Sequence, residues 1–248
     1  MTSLDEYVSR MKRGQDAIYF LPGDSKEAIM KSPLLAKYKQ LGIEVFIMGD
    51  PIDEFCMQHL AEYEKHKIKN IAKEDGNPLQ GDELQRKKEL KIKEMYKPLT
   101  TWWKKHLEKK VEKVSVSNRL VDEPCYVFTS QYGYSPHMEK INRAQAFANQ
   151  EKTPNYMLAK KHFEINPHHP VMKQMLERIK ESNGEPNEET LEQADLIFNL
   201  ALFTSGFLIE DPSQLNVPVQ ALIRQAFGVP KDSPVEEIEV NIDEDEGT

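Results

Sequence analysis

The sequence contains only two cysteines, Cys56 and Cys125, among its 248 residues. Two thiols are too few for a disulfide scaffold or for a four-ligand zinc site. Because each cysteine lies in an apolar stretch, we expect two buried thiols and no disulfide bond. Stability must then come from an ordinary hydrophobic core, and a chain of this length with 39% hydrophobic residues can form one.

Long apolar runs and targeting signals are also lacking. No stretch of about 18 apolar residues occurs, so we expect no segment that spans a bilayer and no membrane insertion. The first ten residues do not show a basic segment followed by an apolar one, so they carry no secretory signal. This observation says nothing about the compartment in which the protein works.

The turn at Gly23 lies between a predicted strand and a predicted helix, where backbone N–H groups and Lys26 can surround a phosphate. The turn lacks the glycine and lysine spacing of a P-loop, and the carboxylate of Asp24 would repel an anion. Asp24 with Glu27 instead resembles the capped start of a helix. An α/β enzyme or binding domain for a phosphorylated small molecule at Gly23 is therefore the alternative hypothesis.

Other residue types that often carry chemistry have simpler explanations here. Asp50 and Asp53 stand where a helix N-terminus favours carboxylates, so we expect a cap and not a metal site. His162, His168 and His169 occur without a zinc-binding motif, so we expect solvated loop histidines. No G-x-S-x-G or Cys-His signature is present. We therefore expect no catalytic residue, no cofactor site and no metal site in this chain.

The charges are segregated along the chain, although the net charge is −8. Residues 86–113 contain eleven Lys or Arg and four Glu, whereas residues 232–246 contain eight carboxylates and no basic residue. The basic stretch includes Trp102 and Trp103, which could stack on bases. Its glutamates are interleaved at helical spacing, which favours a salt-bridged surface and no nucleic-acid partner. The acidic tail, 231–248, is predicted to be disordered.

Strands and helices alternate in the first third of the sequence. Apolar runs at 17–21, 45–48 and 68–72 predict strands, and helices are predicted between them, one of which ends at Gly42. Alternation of this kind implies a small, mainly parallel α/β layer, so we predict a three-layer α/β subdomain over residues 1–80. The loop 75–81 is rich in glycine, asparagine and proline and is the predicted boundary.

Residues 81–230 are predicted to form a second, mixed α/β domain, so the chain as a whole is of the α+β / α/β class. We predict a charged helix that ends before Pro98, followed by a second helical run that carries the two tryptophans. Val114 with Val116, and Val127 with Phe128, predict a pair of neighbouring strands. Later helices are predicted at 156–163 and 171–180, before two final helices.

The two final helices carry more apolar residues than one domain face can cover. The last one has a single apolar stripe, and the one before it is apolar on almost every side. We predict that a second copy of the chain covers both in a helical dimer interface. The alternative is that both helices pack inside one subunit. The predicted interface residues are Leu196, Ile197, Leu200, Phe203, Val219, Leu222, Ile223, Ala226 and Phe227.

Several long segments resemble one family, the ninety-kilodalton heat-shock chaperones. The segments include VSVSNRLVDEPCYVFTSQYGYSPHMEKINRAQAF, NYMLAKKHFEINPHHP, FNLALFTSGFLIEDP, DEYVSRMK and DPIDEF. The resemblance extends from about Ser3 to Val229 and implies the end of the middle domain followed by the dimerisation domain. DEFCMQ, IKNIAKEDG and YKPLTTWW resemble the endoplasmic-reticulum branch in particular, which implies the reticulum lumen, with the cytoplasm as the alternative.

The resemblance also implies partners and cofactors. The intact family protein is an ATP-driven homodimer that binds unfolded or partly folded client proteins, with co-chaperones as further partners. ATP and magnesium would bind in an amino-terminal domain outside this sequence, so this chain alone should be inert towards ATP. We expect Tyr134, Met138 and Ile141 to form a client-binding surface, because they lie on adjacent turns of a predicted helix. The alternative is that Met138 and Ile141 are core residues.

Overall fold

The computed structural model describes residues 2–76, 78, 83–131, 133–149, 161–209, 211–230 and 233–237. The chain divides into two compact units, Met1–Glu210 and Asp211–Thr248, which we describe separately. The helices of the first unit are α1 (Leu4–Arg10), α2 (Lys26–Met30), α3 (Leu34–Leu41), α4 (Pro51–Leu60), α5 (Glu83–His106), α6 (Pro136–Asn149), α7 (Pro170–Glu181) and α8 (Glu188–Thr204). Its strands are β1 (Ala17–Pro22), β2 (Phe46–Met48), β3 (Glu62–Tyr63), β4 (His66–Asn70), β5 (Lys113–Val116), β6 (Cys125–Thr129) and β7 (Lys161–Ile165).

The first sheet has the strand order β2-β1-β4-β3. Strand β1 is parallel to both neighbours, with Phe20 opposite Phe46 on one side and Asn70 on the other. Strand β3 pairs with β4 in an antiparallel hairpin. All six residues of β1 are buried, as expected of a central strand with helices on its faces. The mainly parallel layer predicted from the alternating pattern is confirmed.

Helix ends in this layer follow local sequence signals. Asp50 and Asp53 form a reciprocal capping box at the start of α4, so the cap predicted for these carboxylates is confirmed. Gly42 ends α3 with φ of 61°, a left-handed conformation that glycine adopts without strain. The cap predicted at Asp24 is wrong. Ser25 caps α2 by accepting a hydrogen bond from the Ala28 amide at 3.2 Å, which leaves Asp24 available for other contacts.

The second sheet has the order β5-β7-β6, which corrects the predicted strand pair. Strands β5 and β6 do not pair with each other. Strand β7 lies between them, parallel to β5 and antiparallel to β6, with Phe163 opposite both Val114 and Val127. The helix predicted over 156–163 is also wrong at 161–163, which belong to β7, and the rest of that prediction lies outside the described residues.

Helix α5 continues through Pro98, whereas the sequence predicted a break there. Proline removes one backbone donor and costs about 3 kcal/mol inside a helix. This cost is offset by the face that the helix buries, where Tyr96, Leu99, Trp102 and Trp103 are each at most 8% exposed. Tertiary burial therefore outweighs the local helix-breaking signal.

Two hydrophobic clusters form the core, and β6 contributes to both. Cys125 and Val127 face one cluster, in which the ring of Phe163 makes edge contacts with Trp103 and Phe198 at 5.0 and 5.5 Å. Tyr126 and Phe128 face the other cluster, below the first sheet. Alternate residues of a strand point to opposite faces, so one short strand serves two cores. Val127 and Phe128 are both 0% exposed, so each is fully buried in its own cluster.

A buried ion pair ties the second sheet to the turn after the first. The guanidinium of Arg119 donates to both carboxylate oxygens of Glu164, at 2.8 and 3.2 Å, and to the backbone carbonyl of Lys73 at 2.7 Å. It also lies over the ring of Phe128, 3.4 Å from the centroid. Ser117 donates its hydroxyl to the same carboxylate at 2.8 Å. Removal of either Arg119 or Glu164 would leave the other charge buried without its partner, which is energetically costly.

The second unit contains helix α9 (Ser213–Ala226). After the helix, Gly228 has φ of 68° and the amide of Val229 donates to the carbonyl of Arg224, which closes the last turn. The predicted domain limits, 1–80 and 81–230, stay predictions. Most of the predicted disordered tail lies outside the described residues.

Candidate interaction surfaces

Helix α8 has one buried side and one exposed apolar side. Ala194, Phe198 and Ala201 are buried in the core. Ile197, a predicted interface residue, is half-buried and packs against the same core. On the other side, a row at helical spacing is formed by Leu196, half-buried, Leu200, 52% exposed, and Phe203, 65% exposed.

Helix α9 has no buried residue. Its apolar side chains recur three and four positions apart, so they form a single stripe along the helix. All five members of the stripe are exposed, and Phe227 is 82% exposed. The members are Val219, Leu222, Ile223, Ala226 and Phe227. Contiguous exposed apolar surface of this kind is typical of an interaction site.

The predicted client segment lies at the start of α6. Ser135 caps this helix, and its hydroxyl accepts a hydrogen bond from the Met138 amide at 3.1 Å. Tyr134 and Ile141 are half-buried. Met138 is only 1% exposed, so it is a core residue, as the alternative hypothesis had it. The surface expectation is corrected for Met138, while client binding at Tyr134 and Ile141 stays a prediction.

Asp24 holds the first turn of α6, a role that the sequence did not indicate. Lys140 donates to one carboxylate oxygen at 2.7 Å, and the other oxygen lies 3.3 Å from Nδ1 of His137. The hydrogen bond from Lys140 is the main reason that the pKa of Asp24 lies below its ordinary value. More than a hundred residues separate the partners in sequence, so no local pattern could reveal the contact.

Glu54, on the inner side of α4, is a fully buried carboxyl, 0% exposed. One oxygen accepts hydrogen bonds from the side-chain amides of Asn70 and Gln58, both at 3.3 Å. Its other oxygen has no hydrogen-bond partner among the described residues. Burial raises the pKa of Glu54 above the ordinary glutamate value of 4.5, since it penalises the charged form. Hydrogen bonding and charges nearby, including Lys73, offset this only in part.

We expect the free energy of unfolding of Glu54→Gln, relative to that of the wild type, to increase as pH rises. A carboxyl whose pKa is raised by folding binds its proton more tightly in the folded state. The stability that the wild type gains from this tighter proton binding is present below pH 4.5 and is lost as pH rises through the folded pKa. Urea unfolding at a series of pH values measures the effect. The exposed Glu62 provides a matched variant, Glu62→Gln, and an equal pH dependence in the two variants would contradict the expectation.

The remaining histidines and cysteines differ in part from their predictions. His162 is buried in β7 and not in a loop, with its ring nitrogens 3.2 Å from Glu74 and 3.6 Å from Glu112. Cys125 is buried, as predicted, and burial raises the pKa of its thiol. Cys56 is exposed on the outer side of α4, which corrects the expectation of two buried thiols.

The described residues contain no group of three or more His, Cys, Asp or Glu side chains placed to hold a metal ion. Among the helices of the described ranges, not one has the length and apolar character needed to cross a bilayer.

Comparison with known proteins gives a match over the whole chain. The family described as Hsp90 protein matches residues 1–248. An endoplasmin homolog from Catharanthus roseus is 39% identical over 239 residues, which are 96% of this chain and 28% of that protein. An endoplasmin homolog from Hordeum vulgare is 40% identical over 242 residues, 96% of this chain and 29% of that protein. A protein from Homo sapiens named putative heat shock protein HSP 90-beta-3 is 39% identical over 227 residues, 92% of this chain and 37% of that protein.

Proposed function

Because the chain belongs to the Hsp90 protein family, we propose that it supplies the homodimer contact and part of the client-binding surface of an ATP-driven chaperone. The resemblance found in the sequence is confirmed at the level of the family and of its endoplasmin-like members. The chain spans 28% to 37% of the length of the relatives reported above. ATP and magnesium are therefore proposed to bind outside it, in the amino-terminal part of the intact protein.

The exposed apolar stripe of α9 is the observation that carries the proposal of a homodimer. Leu222 and Ile223 are 48% and 50% exposed at its centre, and Leu200 and Phe203 give α8 a second exposed row. A second copy of the same chain has the same surfaces, so two-fold pairing covers them without any other partner. A stable contact of this kind buries on the order of 1,200 Å² or more in total.

We expect the wild type to be dimeric at micromolar concentration and the Leu222→Glu variant to be monomeric. The substitution places a carboxylate in the apolar centre of the contact, twice per dimer, where burial of an unpaired charge is costly. We expect the dimer dissociation constant to rise by a factor of about 100 or more, on the basis of the cost of a buried unpaired charge. Sedimentation equilibrium without nucleotide measures it.

Val217 is the matched control for this test. It is 65% exposed and lies on the opposite side of α9 from Leu222, so Val217→Glu should leave the dimer intact. A monomeric wild type would refute the proposed homodimer. Equal weakening by both substitutions would show that the contact does not use the Leu222 side of the helix.

Client binding is proposed for the half-exposed side chains at the start of α6. Tyr134 offers an aromatic ring with a polar hydroxyl, and Ile141 adds apolar area two turns along. We expect Tyr134→Ser to weaken binding of an unfolded model substrate, while the free energy of unfolding changes by about 0.5 kcal/mol or less, as for surface substitutions. Fluorescence anisotropy of a labelled unfolded substrate and thermal unfolding of the same variant test this. Unchanged substrate affinity would count against the surface.

The endoplasmic-reticulum lumen is proposed as the compartment. Endoplasmin homologs from three plants match with 38% to 40% identity, which supports it. The cytoplasm is the alternative, because the human relative named HSP 90-beta-3 matches with 39% identity. Immunofluorescence of the intact protein in its own cells, with a lumenal marker, distinguishes the two.

A further inference from the structure

A cavity of about 320 Å³ lies where the turn after β1, the start of α6 and the end of α8 meet. Its apolar part is formed by Leu21, Ile29, Ala72 and Tyr126, each at most 6% exposed. Volumes from about 300 Å³ upward are typical of sites for small molecules. The cavity is thus large enough for a short ligand with an apolar body.

The charges that line this cavity are not balanced. Asp24 is the single carboxylate among the lining residues, and its oxygens already contact Lys140 and His137. Lys31 also lines the cavity, is exposed, and forms no ion pair with any residue that the structure describes. Because Asp24 is paired with Lys140, the ammonium group of Lys31 stays uncommitted at the mouth of the cavity. There it attracts a single negative charge.

His137 adds a second indication of a polar ligand. Its side chain is only 9% exposed, and its Nδ1 faces Asp24. The other ring nitrogen, Nε2, is buried without a hydrogen-bond partner among the described residues. Buried polar atoms are normally paired with protein or with bound molecules, so an unpaired one beside a cavity calls for a partner there.

We propose that the cavity binds a small amphipathic carboxylate, with its apolar body over Leu21, Ile29 and Ala72 and its negative charge near Lys31. A phosphate ester fits less well, because one uncommitted ammonium does not balance a double charge and the apolar floor offers no partner to a polar body. The walls include residues of α2, of the start of α6 and of the end of α8, so a bound molecule holds the start of α6 against α2 and α8.

Octanoate is the probe for this site. We expect saturable binding by isothermal titration calorimetry, a higher melting temperature, and amide NMR shifts at Gly23 and Gly206, both of which line the cavity. Octanol, which shares the apolar body but carries no charge, should bind about fivefold more weakly than octanoate, the upper range for an exposed ion pair, and octylammonium should bind more weakly still. Inorganic phosphate tests whether the charge alone is sufficient.

Two variants locate the site. Ala28→Trp places a large ring at the cavity lining from an exposed position on α2 and should abolish octanoate binding. Lys31→Gln removes the uncommitted charge and should weaken binding about fivefold, the upper range for an exposed ion pair. Lys67→Gln, at an exposed position on β4 outside the cavity lining, is the matched control and should bind as the wild type does.

Several outcomes would overturn the proposal. They are no octanoate binding at millimolar concentration, equal binding of octylammonium, unchanged binding in Ala28→Trp, and binding of phosphate in place of octanoate. Sedimentation equilibrium of the same variants keeps this test separate from the proposed homodimer, because none of the substituted residues belongs to the α8 or α9 rows.

Discussion

Replacing Arg119 with alanine is expected to destabilise the chain by about 3–5 kcal/mol, as is typical when one partner of a buried ion pair is removed. Arg119 and Glu164 are 4% and 9% exposed, so the carboxyl group left behind would lose its charged partner at a site with little access to water. The same substitution removes the hydrogen bond to the Lys73 carbonyl and the stacking on Phe128. The two sheets would then lose a direct connection.

Urea unfolding of the wild type and of Arg119→Ala measures this loss. Arg10 is the matched control, because its guanidinium also makes two hydrogen bonds to one carboxylate, that of Glu44, both at 2.9 Å. That pair is about half exposed, so water screens it and Arg10→Ala should cost far less. Similar losses in the two variants would show that burial of the Arg119 pair does not determine its contribution.

The Met138→Ala variant is expected to lose about 2–5 kcal/mol of stability, the range for deletion of a large buried side chain. Met138 is 1% exposed, and its removal leaves a cavity beneath the first turn of α6. Met95→Ala is the matched control, since Met95 is 60% exposed on α5 and should change stability by about 0.5 kcal/mol or less. Thermal and urea unfolding decide the matter. If Met138→Ala lost as little stability as Met95→Ala, the assignment of Met138 to the core would be wrong.

Features that are determined by contacts within a few residues were predicted correctly from the sequence. The carboxylates of Asp50 and Asp53 and the left-handed Gly42 define helix ends by contacts with their immediate neighbours. The parallel first sheet was predictable for a related reason, because strands that alternate with helices need crossovers. The apolar spacing around Leu222 likewise indicated one exposed stripe, since helix geometry alone fixes which side chains share a face.

Features that depend on partners far away in sequence were not predictable in this way. Residues 161–165 are a strand because two other strands flank them, and their own pattern also suited a helix. Pro98 is a helix breaker by its own chemistry, yet the burial of Trp103 and its neighbours keeps α5 continuous. Asp24 looked like a helix cap because its true partners, His137 and Lys140, are more than a hundred residues away.

The central position of β7 has a consequence for the order of events during synthesis. Strands β5 and β6 precede β7 in the chain, but both form their ladders on it. While the ribosome is still translating residues before 161, the two earlier strands therefore have exposed edges and no template. Such edges are sites of mispairing between chains. The nascent second sheet would then be vulnerable to aggregation until residue 165 has left the exit tunnel, so a protein that belongs to a chaperone family would itself need protection at that stage.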